Sequence, residues 1–147
     1  MNLCPGKSVG AIIKNAAGQY LCLYRLKRPI GLAFIAGHID PEDKSPEAAL
    51  VREVEEEAGL KVINFKLIEN KVLLNPCSRG LKEIGRDYDG HEWFFYEVTG
   101  YEGEPQLMEP TKHQFVKFLS REEIKPYLSE NDCDPAWLYF LNQILQA

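Results

Sequence analysis

Three glutamates, Glu53, Glu56 and Glu57, are spaced i, i+3 and i+4. On a helix that spacing gathers their side chains within an arc of roughly 100°. The gathering is unfavourable by itself. Glu53 and Glu57 make a like-charge i,i+4 pair, and carboxylates in a last helical turn oppose the dipole, each costing roughly a few tenths of a kcal/mol. Two readings compete: a solvated acidic face, or a set of hard oxygen ligands for a divalent cation whose octahedron a substrate's phosphates complete. Only the cation removes the repulsion. Upstream, Arg25, Lys27 and Arg28 could hold such phosphates, or form a solvated turn.

The helix that carries the carboxylates is bounded by its own residues. Ser45 suits the N-cap, Pro46 the first helical position and Gly59 the left-handed stop, which predicts a helix over 46–58. Leu50, Val51, Val54 and Ala58 then form a buried stripe beside the acidic arc.

The order Arg52-Glu53-Val54-Glu55-Glu56-Glu57-Ala58-Gly59-Leu60 resembles the second half of the Nudix box, and Gly37-His38-Ile39-Asp40 resembles its opening glycine turn. The resemblance implies an α/β fold, a Nudix-type α/β/α sandwich with a mixed central sheet, whose loop-helix-loop motif carries Mg²⁺ or Mn²⁺. It implies hydrolysis of a nucleoside diphosphate linked to another group, such as a nucleotide sugar, an ADP-ribose-like compound or a (d)NTP. By motif position, Glu53, Glu56 and Glu57 become metal ligands, Arg52 orients a glutamate, and Gly37 shapes the loop. The alternative is a Nudix-fold sensor that binds a nucleotide derivative without cleaving it. Retention of all three carboxylates favours the enzyme.

The chain departs from the family pattern in the loop. The box places an acid five residues after its glycine and eight before its arginine; counting from Gly37 gives Asp43, and counting from Arg52 gives Lys44. One extra residue in the 41–44 loop accounts for both, with Asp43 or Glu42 as substitutes. Ile35 and Ala36 stand where the family has proline and glycine.

A water nucleophile needs a base, and the helix glutamates are committed to metal, so Glu92 and Glu109 are the candidates. Strands are expected at 8–14 and 19–26 as a β-hairpin about a turn at 15–18, at 32–37, within 62–74, at 91–98 and at 114–119. Residues 75–90 and 100–110 read as loops. Ser120 caps a short helix, and Trp137, Leu138, Leu141, Ile144 and Leu145 form the stripe of a last helix, a core face or a homodimer surface. Tyr88, Trp93, Phe94 and Tyr96 could stack a base, although strand alternation lets only half of them face one site. Pro76, 16 residues beyond Leu60, resembles an ADP-ribose pyrophosphatase spacing, but a lone proline between Asn75 and Cys77 is more often a plain loop residue.

A length of 147 residues fits one domain, 1–147, and 45% hydrophobic with 27% charged residues excludes a disordered or fibrous chain. Seventeen basic against 22 acidic residues, with no basic block, disfavour general nucleic-acid binding. No apolar run suggests a membrane span or signal peptide, so a cytoplasmic location is expected. Cys4, Cys22, Cys77 and Cys133 show no CxxC or zinc-finger spacing and read as four free thiols; Cys133, between Asp132 and Asp134, is a poor nucleophile.

Overall fold

The computed structural model describes residues 1–129 and 132–146, with side chains to residue 143. Among the described residues, seven strands and four α-helices run in the order β1 (Ser8–Ile13), β2 (Tyr20–Arg25), β3 (Gly31–Ala33), β4 (Ile35–His38), α1 (Pro46–Ala58), β5 (Lys61–Leu73), α2 (Gly80–Glu83), β6 (His91–Glu102), β7 (His113–Leu119), α3 (Arg121–Ile124) and α4 (Pro135–Gln146). The central sheet has the order β4-β1-β6-β5 and is mixed, because β1 runs parallel to β6 and antiparallel to β4. A smaller antiparallel sheet has the order β3-β2-β7.

The expected hairpin of β1 and β2 does not form. Its turn is present, with Gly18 N–H donating to the Asn15 carbonyl, but beyond a single bridge between Lys14 and Tyr20 the strands enter different sheets. β1 is buried at all six positions, so it serves as an interior strand, and its ladder is taken by β4 and β6. The single strand expected at 32–37 likewise divides at Phe34, where the chain passes from the small sheet to the central one. The segment 62–74 is one long strand, and the loop 75–90 carries the four-residue α2.

Strand alternation sets the layers. On β6, Trp93 and Phe95 face α4, where Phe95 meets Trp137 and Phe140 with ring centroids 5.5 and 3.9 Å apart. Tyr96 turns to the other face and donates to Glu47 of α1 at 2.8 Å. Gly10 on β1 leaves room for Trp137, since a Cβ there would stand 2.7 Å from the indole. α1 and α4 therefore cover opposite faces of the central sheet. Leu50, Val54 and Leu60 are fully buried under α1, each worth about 1.5–3 kcal/mol of apolar transfer. In α4, Trp137 and Leu141 are core and Leu138 packs against it, so this part of the stripe is spent inside the molecule rather than on a dimer surface. The side chains of Ile144 and Leu145 lie outside the described residues. No helix among the described residues is long and apolar enough to cross a membrane.

Candidate active site

The α1 boundaries fall where the caps require. Ser45 Oγ accepts from Ala48 N–H at 3.1 Å, and Gly59 adopts φ 70°, ψ 21°, with its N–H closing on the Glu55 carbonyl. The acidic arc thereby faces a cavity of ≈ 450 Å³ that also receives residues from β2, β4 and the segment before β7.

Glu57 is buried at 6% exposure. Its Oε1 accepts from the Ala36 N–H at 3.0 Å, and its Oε2 lies 3.4 Å from His113 Nε2. Burial raises its carboxyl pKa, against the opposing pull of the His113 contact. Glu53 is pushed up to about 8, first by burial and then by the nearby Glu57 charge, with Arg52 pulling the other way. Two neighbouring carboxylates that resist ionisation are the signature of a site short of positive charge.

Arg52 organises the loop in front of the helix. Its Nε and Nη2 grip both oxygens of Asp43 at 3.0 and 2.8 Å, Nη2 also donates to the His38 carbonyl at 3.0 Å, and Nη1 reaches Glu53 at 2.9 Å and Glu56 at 3.2 Å. Asp43 in turn accepts the Asp40 N–H at 2.7 Å, while Asp43 N–H donates to the Asp40 carbonyl. The turn at 40–43 absorbs the extra residue. Asp43 consequently clasps Arg52 instead of facing the glutamates as a ligand, and Glu42 and Lys44 are exposed. Gly37 has a steric reason: a Cβ there would lie 2.1 Å from the Glu53 carboxyl carbon.

Of the two proposed bases, the fold brings one to the cavity. Glu109, Glu57 and His113 each offer a ligand atom within 4.8 Å of the others, and Glu109 also pairs with Lys112 at 3.0 Å. Glu92 alternates away from its buried neighbours His91 and Trp93, takes a hydrogen bond from Asn70 at 3.1 Å and pairs with Lys7 at 3.6 Å. It does not line this cavity. Arg25, Lys27 and Arg28 do, joined by Lys112. Arg25 is held by the Pro29 and Arg28 carbonyls, and Arg28 pairs with Asp87 of the 75–90 loop. Sequence reading missed His113 and Lys112. His113 is 3% exposed and its Nδ1 has no hydrogen-bond partner among the described residues, yet nothing in its local sequence marks it.

The residues fit a divalent cation. Glu53 and Glu57 are hard oxygen donors whose ionisation is opposed by burial, a cost that a cation's charge would offset, and Gly37 keeps the space beside Glu53 open. A larger hollow of ≈ 560 Å³ against α4, lined by Ile12, Tyr20, Ile68 and Phe140, brings no such ligand group together among the described residues.

Comparison with known proteins identifies the family and the fold. The model of the NUDIX domain matches residues 5–137. The fold is similar to that of MutT in a study of the enzyme from Aliivibrio salmonicida and Vibrio cholerae, with TM-score 0.71, 20% identity, and 96% of this chain and 97% of that one covered. It is similar to the MutT NUDIX hydrolase of Burkholderia pseudomallei, with TM-score 0.66, 22% identity and coverage of 82% and 86%. It is also similar to an Ap4A hydrolase of C. elegans, with TM-score 0.55, 22% identity and coverage of 95% and 98%. No curated protein sequence gives a significant match.

Proposed function

The chain belongs to the NUDIX family of hydrolases acting on pyrophosphate bonds, and from that premise we propose that it is a Mg²⁺- or Mn²⁺-dependent pyrophosphohydrolase of a nucleoside diphosphate linked to another group. The observation that carries the reading is one cavity with two chemistries. Glu53, Glu56, Glu57 and Glu109 line it beside Arg25, Lys27, Arg28 and Lys112. Carboxylates suit a hard cation, and the guanidinium and ammonium groups suit diphosphate oxygens.

Glu53 and Glu57 would hold the cation, with Glu56 joining from the exposed rim of the helix. Bound there, the cation supplies charge for the departing phosphate and lowers the pKa of a coordinated water. Arg52 fixes the approach of Glu53 and Glu56 through its grip on Asp43 and the His38 carbonyl. Arg25 and Lys27 orient the diphosphate. Glu109 takes a proton from the attacking water; it comes from a loop, is within 4.8 Å of Glu57, and has Lys112 beside it.

A small-molecule partner follows from the cavity's size and charge, and the overall acidity of the chain speaks against a nucleic-acid substrate. Four unpaired thiols accord with a reducing, cytoplasmic setting. A homodimer would use a surface other than the buried part of the α4 stripe; the exposed Ile63, Leu67 and Val72 of β5 offer one, which light scattering of the purified protein would test.

Product analysis across dNTPs, ADP-ribose, nucleotide sugars and dinucleoside polyphosphates, with and without Mg²⁺, tests the function. Metal-dependent cleavage at a phosphoric anhydride, lost in Glu57→Gln, is the expected result. Binding of these compounds without turnover in Mg²⁺ or Mn²⁺ would overturn it in favour of a sensor.

A further inference from the structure

A second group of ligand-type side chains converges beside the acidic cavity and shares only His38 with its lining. Cys4 comes from the N-terminal segment, His38 ends β4, Cys77 lies in the loop after β5 and His91 begins β6. One ligand atom from each lies within 4.8 Å of all the others. We infer that Cys4, His38, Cys77 and His91 form a closed, tetrahedral site for a structural zinc ion, distinct from the acidic site of hydrolysis.

The distances have the size of a zinc tetrahedron. Metal–sulfur bonds of about 2.3 Å and metal–nitrogen bonds of about 2.0–2.1 Å produce sulfur–sulfur edges of about 3.8 Å and sulfur–nitrogen edges of about 3.6 Å. Here the two sulfurs are 3.8 Å apart, and His38 Nε2 is 3.7 Å from Cys4 Sγ and 4.0 Å from Cys77 Sγ. Two thiolates with two imidazoles in tetrahedral array select zinc over the hard cations suited to the glutamates.

The surrounding groups prepare the ligands. Trp93 Nε1, which can only donate, gives its hydrogen to Asn75 Oδ1 at 3.1 Å, and this identifies that atom as the amide oxygen. His91 Nδ1, 2.9 Å from the same oxygen, must therefore carry its hydrogen, so Nε2 keeps the lone pair. A ligand imidazole held through its other nitrogen is the usual arrangement beneath a zinc ion. The thiols are on fixed backbone: Cys4 N–H donates to the Gly90 carbonyl at 2.9 Å, and Cys77 exchanges hydrogen bonds with Tyr88 at 3.1 and 3.0 Å. Cys4, Cys77 and His91 are buried, as a closed structural site requires.

Such an ion also answers a mechanical need. The loop between β5 and β6 contains only the four-residue α2 and exposes Leu74, Leu81 and Ile84, so apolar burial holds it weakly. Zinc would fasten that loop and the N-terminal segment to the end of β4. His38 is the junction of the two sites: its ring faces the sulfurs while its carbonyl accepts from Arg52.

The test is metal content and spectroscopy of the full chain, purified without a histidine tag under reducing conditions and dialysed against divalent-free buffer. One zinc per chain is expected, released by a thiol-blocking mercurial. After exchange, cobalt should show tetrahedral d–d absorption with a thiolate-to-metal charge-transfer band. The double variant Cys4→Ser, Cys77→Ser should lose that band, as should His91→Gln in part, and Glu57→Gln should keep it. An octahedral cobalt spectrum without thiolate charge transfer in the wild type would overturn the inference, whatever the variants' folding. So would a Cys4–Cys77 disulfide, seen as a two-dalton mass loss, in the reduced preparation. Because the readouts need no turnover, failure here is separable from failure of the hydrolase reading.

Discussion

Replacing Glu53 by Gln should stabilise the protein while ending its catalysis. The Glu53 side chain is 12% exposed, and burial together with Glu57 raises its pKa from 4.5 to about 8. A carboxyl whose native pKa lies above its unfolded value retains its proton in the native state while the unfolded chain releases it. Stability therefore falls as pH rises between about 4.5 and 8, by about 1.4 kcal/mol per unit. Relative to acid pH, the loss is roughly 3 kcal/mol at pH 7 and about 5 kcal/mol above pH 8. Glutamine keeps a carbonyl for Arg52 and has nothing to ionise. The variant should match the wild type near pH 4 and exceed it by roughly 3 kcal/mol at pH 7, a melting rise of roughly 6 °C or more for a chain of this size. Urea unfolding in divalent-free buffer without chelator, followed through the buried Trp93 and Trp137, measures this and leaves a bound zinc in place. Adding Mg²⁺ should raise the wild type by mass action and the variant much less. Equal pH dependence in the two proteins would refute the electrostatic reasoning.

Gly37→Ala should lower turnover by about 10-fold or more, because its Cβ would displace the Glu53 carboxylate and misplaced catalytic groups are costly; unchanged kcat at saturating Mg²⁺ would contradict this. Asp43→Asn should destabilise the fold by about 1–3 kcal/mol through the loss of a charge-assisted pair with Arg52, as read by urea midpoint, and should raise the Mg²⁺ requirement only indirectly. Glu109→Gln should lower kcat by about 10²-fold if it accepts the water's proton, whereas Glu92→Gln, which does not line the cavity, should stay near the wild-type rate. Lys44→Ala should leave kcat and KM nearly unchanged, since Lys44 is exposed; a raised KM would indicate a phosphate contact instead.

Local rules were enough for the element that bears the proposed metal ligands. Ser45, Pro46 and Gly59 act within a few residues of themselves, and the i, i+3, i+4 spacing of Glu53, Glu56 and Glu57 needs only helical geometry. Both ends of α1 and the direction of its acidic arc could therefore be read from the chain. The strong apolar and aromatic runs of β6 and α4 were legible for the same reason. Pairing was not. The turn at 15–18 is genuine, but which strand takes the hydrogen bonds of β1 depends on β4 and β6, and the latter begins almost 80 residues later. Nor did the spacing in the 41–44 loop reveal that Asp43 would turn to Arg52, because a one-residue insertion is resolved by whichever side-chain pairing the closed loop permits. Cys4, His38, Cys77 and His91 span most of the chain with no interval between them that suggests a site. Their convergence, like that of His113 upon Glu57, exists only once the central sheet has brought four separate strand ends and loops to one edge. Short-range backbone preferences are written residue by residue, whereas a ligand set drawn from distant segments is a property of the packed sheet.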